Sequence, residues 1–107
     1  MIAMLPLQHL SSENLSLGGL KILLVDSDRD NRVMTTLSLE MLGAIVISVT
    51  SVREAIIYLN REQFHILISD LVLPEEDGCS LIRQVRGLAK EERSNIPAIA
   101  LTACKVD

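Results

Sequence analysis

The chain has 107 residues, of which 49% are hydrophobic and 22% charged, which predicts one small globular domain and excludes an intrinsically disordered protein. A net charge of −4 and an aromatic content of 2% provide neither the positive surface nor the stacking side chains that nucleic-acid binding requires. No apolar run approaches the roughly 20 residues that span a bilayer, and no signal-peptide pattern opens the chain. We therefore expect a cytoplasmic protein that by itself binds neither nucleic acid nor membrane.

Residues 1–19 differ in composition from the rest of the chain. Pro6 interrupts this segment early, and serines, glycines and other turn-forming residues follow it. We therefore predict a tail or linker over residues 1–19 and a single domain over residues 20–107.

From residue 20 onward, short apolar runs alternate with longer segments of helical period. Each run has the length of a buried strand, and the four runs cover residues 20–25, 44–49, 66–69 and 98–102. Nearly continuous apolar strands separated by helices are typical of a parallel sheet that is covered on both faces. The order β-α-β-α-β-α-β predicts an α/β fold with a doubly wound parallel sheet, whose chemistry lies at the carboxyl ends of the strands.

Three segments between the predicted strands have helical period. In the first, apolar residues recur at every fourth position, at Val33, Leu37 and Met41. Gly43 follows as a predicted left-handed C-terminal cap. The second begins with a capping box of Ser51 and Glu54. The third carries a single apolar stripe, formed by Leu81, Ile82, Val85 and Leu88.

Acidic and hydroxyl side chains follow three of the predicted strands. Asp26 comes directly after the first strand, Asp70 follows the third, and Thr102 ends the fourth. Because adjacent parallel strands end at the same edge of a sheet, Asp26 and Asp70 are expected in one crevice. Two carboxylates suit Mg²⁺, and one of them can accept a phosphoryl group as an acyl phosphate. The Thr102 hydroxyl could then hydrogen-bond a phosphoryl oxygen.

Each of these residues also has a purely structural interpretation. Asp26 and Asp28 could cap the first helix, Asp70 could accept hydrogen bonds from turn amides, and Thr102 is a common β-branched strand residue. The convergence of all three strand ends on one edge favours a functional site over these alternatives.

The sequence resembles the response-regulator receiver domain of two-component signalling. Three stretches carry the resemblance: LKILLVD at residues 20–26, ISDLVLPEEDG at 68–78 and IPAIALTA at 96–103. The resemblance implies a flavodoxin-like fold with the predicted strands in the spatial order 2-1-3-4. It also implies that Asp70 accepts a phosphoryl group from a histidine kinase or a histidine phosphotransfer domain.

The same resemblance assigns further roles. It implies that Asp26, Asp70 and the backbone carbonyl of Val72 hold Mg²⁺, and that Thr102 senses the phosphoryl group. The stretches MLPL at residues 4–7 and LGGL at 17–20 resemble the junction that precedes the receiver of a hybrid histidine kinase.

Ser27 departs from the family pattern, because the family has a second acidic ligand at this position. A neutral serine hydroxyl is a doubtful metal ligand, so we expect weakened Mg²⁺ binding. Asp28 is expected to cap the first helix rather than to replace the missing acid.

A second departure is that the chain stops at Asp107, before the family's fifth strand, its last helices and the lysine that contacts the phosphoryl group. Lys105 lies too early to be that lysine. We therefore expect an open sheet edge beside residues 98–102 and an uncovered face over the first and third strands, which would favour a homodimer.

Three functions stay open at this point. The first is a phosphoacceptor receiver that uses Asp70 and Mg²⁺, and the second is a receiver-like interaction module that works without phosphorylation; neither is an enzyme. The third is a haloacid-dehalogenase-like phosphatase fragment, because Asp26-Ser27-Asp28 matches a D-x-D motif with Asp26 as nucleophile and Asp28 as acid/base. The aspartate that becomes phosphorylated, Asp70 or Asp26, separates the first function from the third.

Overall fold

The computed structural model describes residues 2–6, 16–71, 73, 78–88 and 90–102, and of residues 2–6, 78, 92 and 102 it describes the backbone alone. The strands are β1 (Ile2–Pro6), β2 (Lys21–Val25), β3 (Ile45–Val49), β4 (Ile66–Asp70) and β5 (Ala98–Thr102). The helices are α1 (Arg29–Met41), α2 (Val52–Arg61), α3 (Gly78–Arg86) and α4 (Glu91–Ser94). No helix within these ranges is long and apolar enough to cross a membrane.

The strands form one parallel sheet in the order β1-β5-β4-β2-β3. The four strands predicted from the sequence are β2 to β5, and their arrangement β3-β2-β4-β5 is the expected order 2-1-3-4. Each begins and ends within one residue of the apolar run that predicted it. The α/β fold class and the doubly wound topology are therefore confirmed.

The structure departs from the prediction at residues 2–6, which the sequence analysis assigned to a tail. This segment is β1, and it pairs in parallel with β5, from Ile2 opposite Ala98 to Pro6 opposite Thr102. The expected open edge beside residues 98–102 was therefore wrong. A short apolar run is sufficient for an edge strand, and Pro6 ends that strand at a position where a missing N–H is tolerated.

Alternate side chains of the strands fill two hydrophobic layers. On one face, the sheet packs against α2 and α3 through Leu23, Val25, Leu67, Ala55, Leu59, Leu81 and Val85. The second face packs partly against α1, and its buried residues are Ile22, Leu24, Leu39, Ala44, Ile68 and Leu101. Because Leu24 and Ile68 are 0% and 4% exposed, the expectation of an uncovered face over these strands was wrong. The homodimer expected from that face loses its physical basis.

Helix α1 leads away from the carboxyl end of β2. Asp28 is its N-cap, and its carboxylate accepts a hydrogen bond from the N–H of Asn31 at 3.0 Å. The helix exists where the period predicts it, but the stripe that predicted it is largely exposed, at Val33, Leu37 and Met41. The buried face instead contains Thr35 and Leu39, because these residues point toward the sheet.

The other two main helices follow the prediction more closely. Ser51 caps α2 by accepting a hydrogen bond from the N–H of Glu54 at 3.2 Å. The Glu54 carboxylate accepts from the N–H of Thr50 rather than from the cap residue itself. In α3, Leu81 and Val85 are fully buried, as the apolar stripe predicted.

The entry into β2 is fixed against the C-terminal end of α1. The N–H of Leu17 donates to the carbonyl of Leu42 at 2.7 Å, and the N–H of Gly19 donates to the carbonyl of Gly43 at 3.2 Å. Gly43 has a φ of 99°, the left-handed conformation that was predicted for it. A Cβ atom on Gly43 would lie 3.0 Å from the Cα of Gly18, so the close approach also requires glycine.

Candidate functional site

The carboxyl ends of β2 and β4 bring two acidic side chains to one edge of the sheet. Asp70 is the last residue of β4 and is half-buried, and Asp26 follows β2 and is 3% exposed. The two strands are neighbours, with Val25 opposite Ser69. The next residue of each strand is the acid, so the topology places Asp26 and Asp70 side by side, as the sequence analysis expected.

Hydrogen bonds fix Asp26 on three sides. Its N–H donates to the carbonyl of Val49 in β3 at 3.1 Å. Its Oδ1 accepts from the N–H of Asp28 at 2.9 Å, and its backbone carbonyl accepts from Nη1 of Arg32 at 2.9 Å. The carboxylate therefore has a defined position without needing a bound ligand.

The electrostatics of the site disfavour a charged Asp26. Burial raises the pKa of its carboxyl above the ordinary value of 3.8, while the hydrogen bond from the N–H of Asp28 lowers it. The negative charges of Asp70 and Asp28 raise this pKa further, and the positive charge of Arg32 lowers it. The net shift of the pKa is upward, so the site, mainly through burial, disfavours the ionised form of Asp26.

Ser27 and Asp28 lie in the loop between β2 and α1. The Ser27 side chain is exposed, and the Asp28 carboxylate is engaged in capping α1. The helix-capping alternative is thus realised by Asp28 and not by Asp26.

Thr102 ends β5, the strand next to β4, and Asp70 lies opposite Leu101 in the register of these two strands. The backbone of Thr102 is therefore one residue beyond the partner of Asp70. Val72, whose carbonyl is an expected metal ligand, and Lys105 lie outside the described residues.

Two residues that the sequence analysis did not identify contact the acids of the site. Arg32 reaches back from α1 to the carbonyl of Asp26, and the buried Ser69 donates from Oγ to the backbone carbonyl of Asp70 at 2.8 Å. Arg32 follows the N-cap by four residues, a position that returns a long side chain toward the preceding strand end. Nothing in the sequence pattern distinguishes Ser69 from an ordinary strand residue.

The described residues contain no group of three or more His, Cys, Asp or Glu side chains that could hold a metal. They do contain the two carboxylates Asp26 and Asp70. Mg²⁺ is held in proteins by one or two carboxylates while it keeps several waters, so this pair is sufficient in number and in chemistry. Burial and, after it, the negative charge of Asp70 raise the pKa of Asp26, and a nearby cation would offset both by favouring the ionised carboxyl. The residues present therefore fit Mg²⁺.

Comparison with known proteins identifies the family. The family model described as the response regulator receiver domain matches residues 22–107. The chain belongs to the response regulator receiver domain family. Receiver domains function in two-component signalling, interact with histidine kinases or phosphotransfer proteins, and generally bind Mg²⁺.

Two relatives of this receiver domain differ greatly in size. It is 46% identical over 88 residues to an uncharacterized 14.6 kDa protein of Leptolyngbya boryana, covering 82% of this chain and 66% of that protein. It is 38% identical over 99 residues to hybrid signal transduction histidine kinase D of Dictyostelium discoideum, covering 87% of this chain and 6% of the kinase. The chain thus spans 66% of the smaller relative and 6% of the kinase, less than two thirds of either.

A solved structure shows the same fold. It is the receiver domain of a sensor histidine kinase from Pseudomonas aeruginosa PAO1, with a magnesium ion coordinated in its active-site cleft. That domain is 34% identical to this receiver domain with a TM-score of 0.73, and the match covers 80% of this chain and 69% of the other.

Proposed function

We propose that this receiver domain accepts a phosphoryl group on Asp70 from a histidine kinase or a histidine phosphotransfer domain, in a reaction that depends on Mg²⁺. The observation that carries the proposal is the position of half-buried Asp70 at the carboxyl end of β4, beside the buried Asp26. The 34% identical receiver domain with magnesium in its cleft supports the same reaction.

The transfer itself requires a reachable carboxylate and a suitable donor. An oxygen of Asp70 forms a bond to phosphorus while the phosphorus–nitrogen bond of a phosphohistidine breaks, and the departing imidazole takes up a proton. The product is an acyl phosphate on Asp70. Asp26 and Asp70, with the carbonyl of Val72, would hold Mg²⁺, which when bound supplies positive charge against the phosphoryl oxygens. Thr102, at the end of the adjacent strand, would sense the phosphoryl group.

The partners and the compartment follow from the reaction. A donor histidine must reach the carboxyl edge of the sheet, so the partner is a histidine kinase or a phosphotransfer domain of the same pathway. Both operate in the cytoplasm, and we place this receiver domain there. Its net charge of −4 gives it no affinity of its own for nucleic acid or for an anionic membrane.

A second function is an interaction module that acts without phosphorylation. The observation that favours it is the loop after β2, where Ser27 is neutral and exposed and the Asp28 carboxylate caps α1. With one acid fewer at the site, Mg²⁺ binding weakens and phosphoryl transfer slows. The two functions differ in a single measurable property, metal-dependent modification of Asp70.

The phosphatase alternative does not fit the site. Its acid/base would be Asp28, whose carboxylate is engaged with the N–H of Asn31. Its nucleophile would be Asp26, which is buried and whose environment disfavours the negative charge that a nucleophile needs. The family match to the receiver domain points to the same conclusion.

The experiment uses the whole chain, Mg²⁺ and acetyl phosphate, a small phosphodonor that needs no partner. We expect the intact mass to increase by one phosphoryl group, and the increase to disappear when Mg²⁺ is removed with EDTA. Asp70→Asn abolishes the modification. The matched control is Asp28→Asn, which alters a neighbouring acid but leaves the acceptor in place.

The outcomes separate the candidate functions. Modification that requires Asp70 supports the phosphoacceptor, whereas modification that persists in Asp70→Asn and is lost in Asp26→Asn would support the phosphatase. A protein whose circular dichroism spectrum shows that it is folded, but whose mass does not increase, would leave the interaction module as the function.

A further inference from the structure

Strand β3 forms one edge of the sheet, and its sequence does not protect that edge. Among the described strands, β2 is its only neighbour. Natural sheets usually blunt an exposed edge with charged residues, a proline or a bulge. The stretch from Met41 to Val52, which contains β3, has no charged residue and no proline. An uncharged edge of this kind is a template for pairing with another strand.

The backbone groups at this edge have defined positions. The N–H of Ile45 and the carbonyl of Val49 form hydrogen bonds toward the ends of β2, at 2.8 Å and 3.1 Å. Because the backbone groups of successive strand residues point to opposite sides, Val46 and Ser48 direct their N–H and C=O groups to the open side of β3. The edge therefore offers two donors and two acceptors that are spaced for a further strand.

Helix α1 places exposed apolar side chains beside the same edge. Val33, Leu37 and Met41 recur along its surface and are 47%, 52% and 80% exposed. Ser48 of β3 lines a cleft of about 160 Å³ together with Val33, Thr36 and Leu37, so the middle of this stripe lies level with the middle of β3. The edge of β3 and the stripe of α1 form one continuous surface, which we call the β3–α1 face.

We infer that the β3–α1 face binds the same face of a second copy of this chain, in a twofold dimer with one continuous sheet of ten strands. Full overlap of two antiparallel β3 strands places Ile47 opposite Ile47 and Val46 opposite Ser48. Each pair of Val46 and Ser48 then exchanges two backbone hydrogen bonds, because both residues face the open side. The twofold symmetry doubles this pair, so the new ladder has four hydrogen bonds.

The same rotation brings the two α1 stripes together. Helix α1 packs mainly on β3 and less on β2. A helix above the midpoint of these two strands lies one strand spacing, about 4.8 Å, from the twofold axis, so the two helix axes would be about 10 Å apart. Helices pack at this distance. Leu37 then meets Leu37 of the second copy, and Val33 faces Met41. A single operation covers both the edge and the stripe, whereas an added peptide strand would cover the edge alone.

The charges around the β3–α1 face favour a second copy as the occupant. A charged partner would lose hydration at the uncharged strand edge without gaining an ion pair, whereas an identical uncharged edge loses none. Exposed Arg29 lies in the first turn of α1, and exposed Glu40 lies in its last turn, which has no basic residue. Antiparallel helices bring Arg29 toward Glu40 of the second copy. Asp30 shares the first turn with Arg29, so the uncharged edge contributes more than this pair.

The size of the face fits a dimer that dissociates readily. The 13 residues of α1 are about 20 Å long, and the helix layer and the sheet layer together are about 20 Å deep. An interface of this cross-section lies near the lower limit of specific interfaces, which is about 1,000 Å² in total. We therefore expect monomer and dimer in a concentration-dependent equilibrium. The two carboxyl edges point in opposite directions, so Asp70 of each copy stays accessible to a phosphodonor.

A single cysteine at the twofold axis tests the register directly. Ile47→Cys is combined with Cys79→Ser and Cys104→Ser and oxidised. Opposite residues of a non-hydrogen-bonded antiparallel pair have Cα atoms about 4.5 Å apart, which a disulfide spans. The matched control is Ile45→Cys in the same background, whose two copies would be four residues, about 13 Å, apart along the strands. Random collisions would favour the control, because Ile45 is 56% exposed and Ile47 is half-buried.

We expect a covalent dimer from Ile47→Cys and monomers from Ile45→Cys, as measured by non-reducing electrophoresis. If both variants form covalent dimers equally, or if folded Ile47→Cys forms none, the inference is overturned.

A second measurement is sedimentation velocity of the wild-type chain from micromolar to millimolar concentration, where we expect a growing dimer fraction. Ser48→Pro removes an N–H that faces away from β2, so an edge strand tolerates it and the monomer keeps its fold. Both copies lose a donor of the new ladder, and the dissociation constant should rise at least about tenfold. Ser48→Ala keeps the N–H and should keep the dimer. A dimer that persists in folded Ser48→Pro would place the interface elsewhere and overturn the inference.

The helical half of the face is tested with a charge. Leu37→Glu places two carboxylates against each other at the twofold axis, and we expect loss of the dimer. Gln84→Glu adds the same charge at an exposed position of α3 and should leave the dimer unchanged. Equal effects of the two variants contradict the proposed contact. A wild-type chain that stays monomeric at millimolar concentration overturns the inference and leaves the β3 edge to a strand of another protein.

Discussion

Asp26 and Asp70 stand at the ends of adjacent parallel strands, close enough for the charge of Asp70 to act on the Asp26 carboxyl. Burial raises the pKa of Asp26, the N–H of Asp28 lowers it, and the negative charge of Asp70 raises it again. Burial and the charge of Asp70 therefore make the ionised form of Asp26 unfavourable for the free energy of folding. Such a cost is characteristic of functional sites, where residues are arranged for a ligand rather than for the stability of the fold.

We predict that Asp26→Asn stabilises the metal-free protein at pH 7. A folded-state pKa raised above 3.8 means that the fold favours protonated Asp26; this contribution is fully present below 3.8 and is lost as the pH rises through the folded-state value. Asparagine keeps the Oδ1 acceptor for the N–H of Asp28 and removes the charge. The measurement is the free energy of unfolding in urea, with EDTA present.

The pH dependence is the control for this prediction. The stabilisation by Asp26→Asn should shrink as the pH falls from 7 toward 3.8, because the wild-type carboxyl then becomes neutral as well. A difference between variant and wild type that stays constant over this range would contradict the electrostatic explanation.

We predict opposite effects of Ser27→Asp with and without Mg²⁺. Without the metal, another negative charge next to Asp26 should lower the free energy of unfolding. With Mg²⁺, a third carboxylate should tighten metal binding at least about tenfold, which corresponds to about 1.4 kcal/mol. Titration calorimetry measures the affinity, and Ser27→Asn is the control, since it adds a neutral oxygen ligand of similar size. Equal affinities in the two variants would exclude a role for charge at this position.

We predict that Arg32→Met destabilises the protein by about 1–3 kcal/mol, because the buried carbonyl of Asp26 loses its hydrogen-bond donor. Loss of the positive charge should also raise the pKa of Asp26 further. Arg29→Met removes the same charge from an exposed position in the same helical turn, and its effect should stay within about 0.5 kcal/mol. Urea unfolding of both variants is the measurement, and equal effects would show that the contact to Asp26 is unimportant.

We predict that Asp28→Ala costs about 1 kcal/mol relative to Asp28→Asn, because alanine cannot accept from the N–H of Asn31. Both substitutions remove the charge of Asp28, so their difference isolates the cap. For a domain of this size, the melting temperature should differ by about 4–8 °C. Melting curves that coincide for the two variants would mean that α1 does not depend on this cap.

The strands and the place of the site could be predicted from the sequence. Buried parallel strands need continuous apolar runs, so β2 to β5 were visible as such runs. Once their order was fixed, the position of Asp26 and Asp70 at one edge followed from the geometry of parallel strands. Both inferences depend only on short segments and on a topological rule.

Two features could not be predicted, because each depends on distant parts of the chain. Helix α1 has two candidate stripes, and only its rotation against the sheet decides that Leu39 is buried while Leu37 is exposed. The sequence does not show the contact of Arg32 with the carbonyl of Asp26, which joins the first turn of this helix to the end of β2. Likewise, the apolar residues before Pro6 resemble a tail until β5 provides an edge for them.

The contact between Gly18 and Gly43 bears on where this domain can be cut or grafted. The family match starts at Ile22, yet Leu17 and Gly19 already donate to the two carbonyls that close α1. A fragment cut at Ile22 would leave those carbonyls exposed to solvent and would release the end of α1 from the start of β2. A fragment that is meant to keep the end of α1 attached to the start of β2 should therefore begin no later than Leu17, and a transplant into another protein should carry that residue with it.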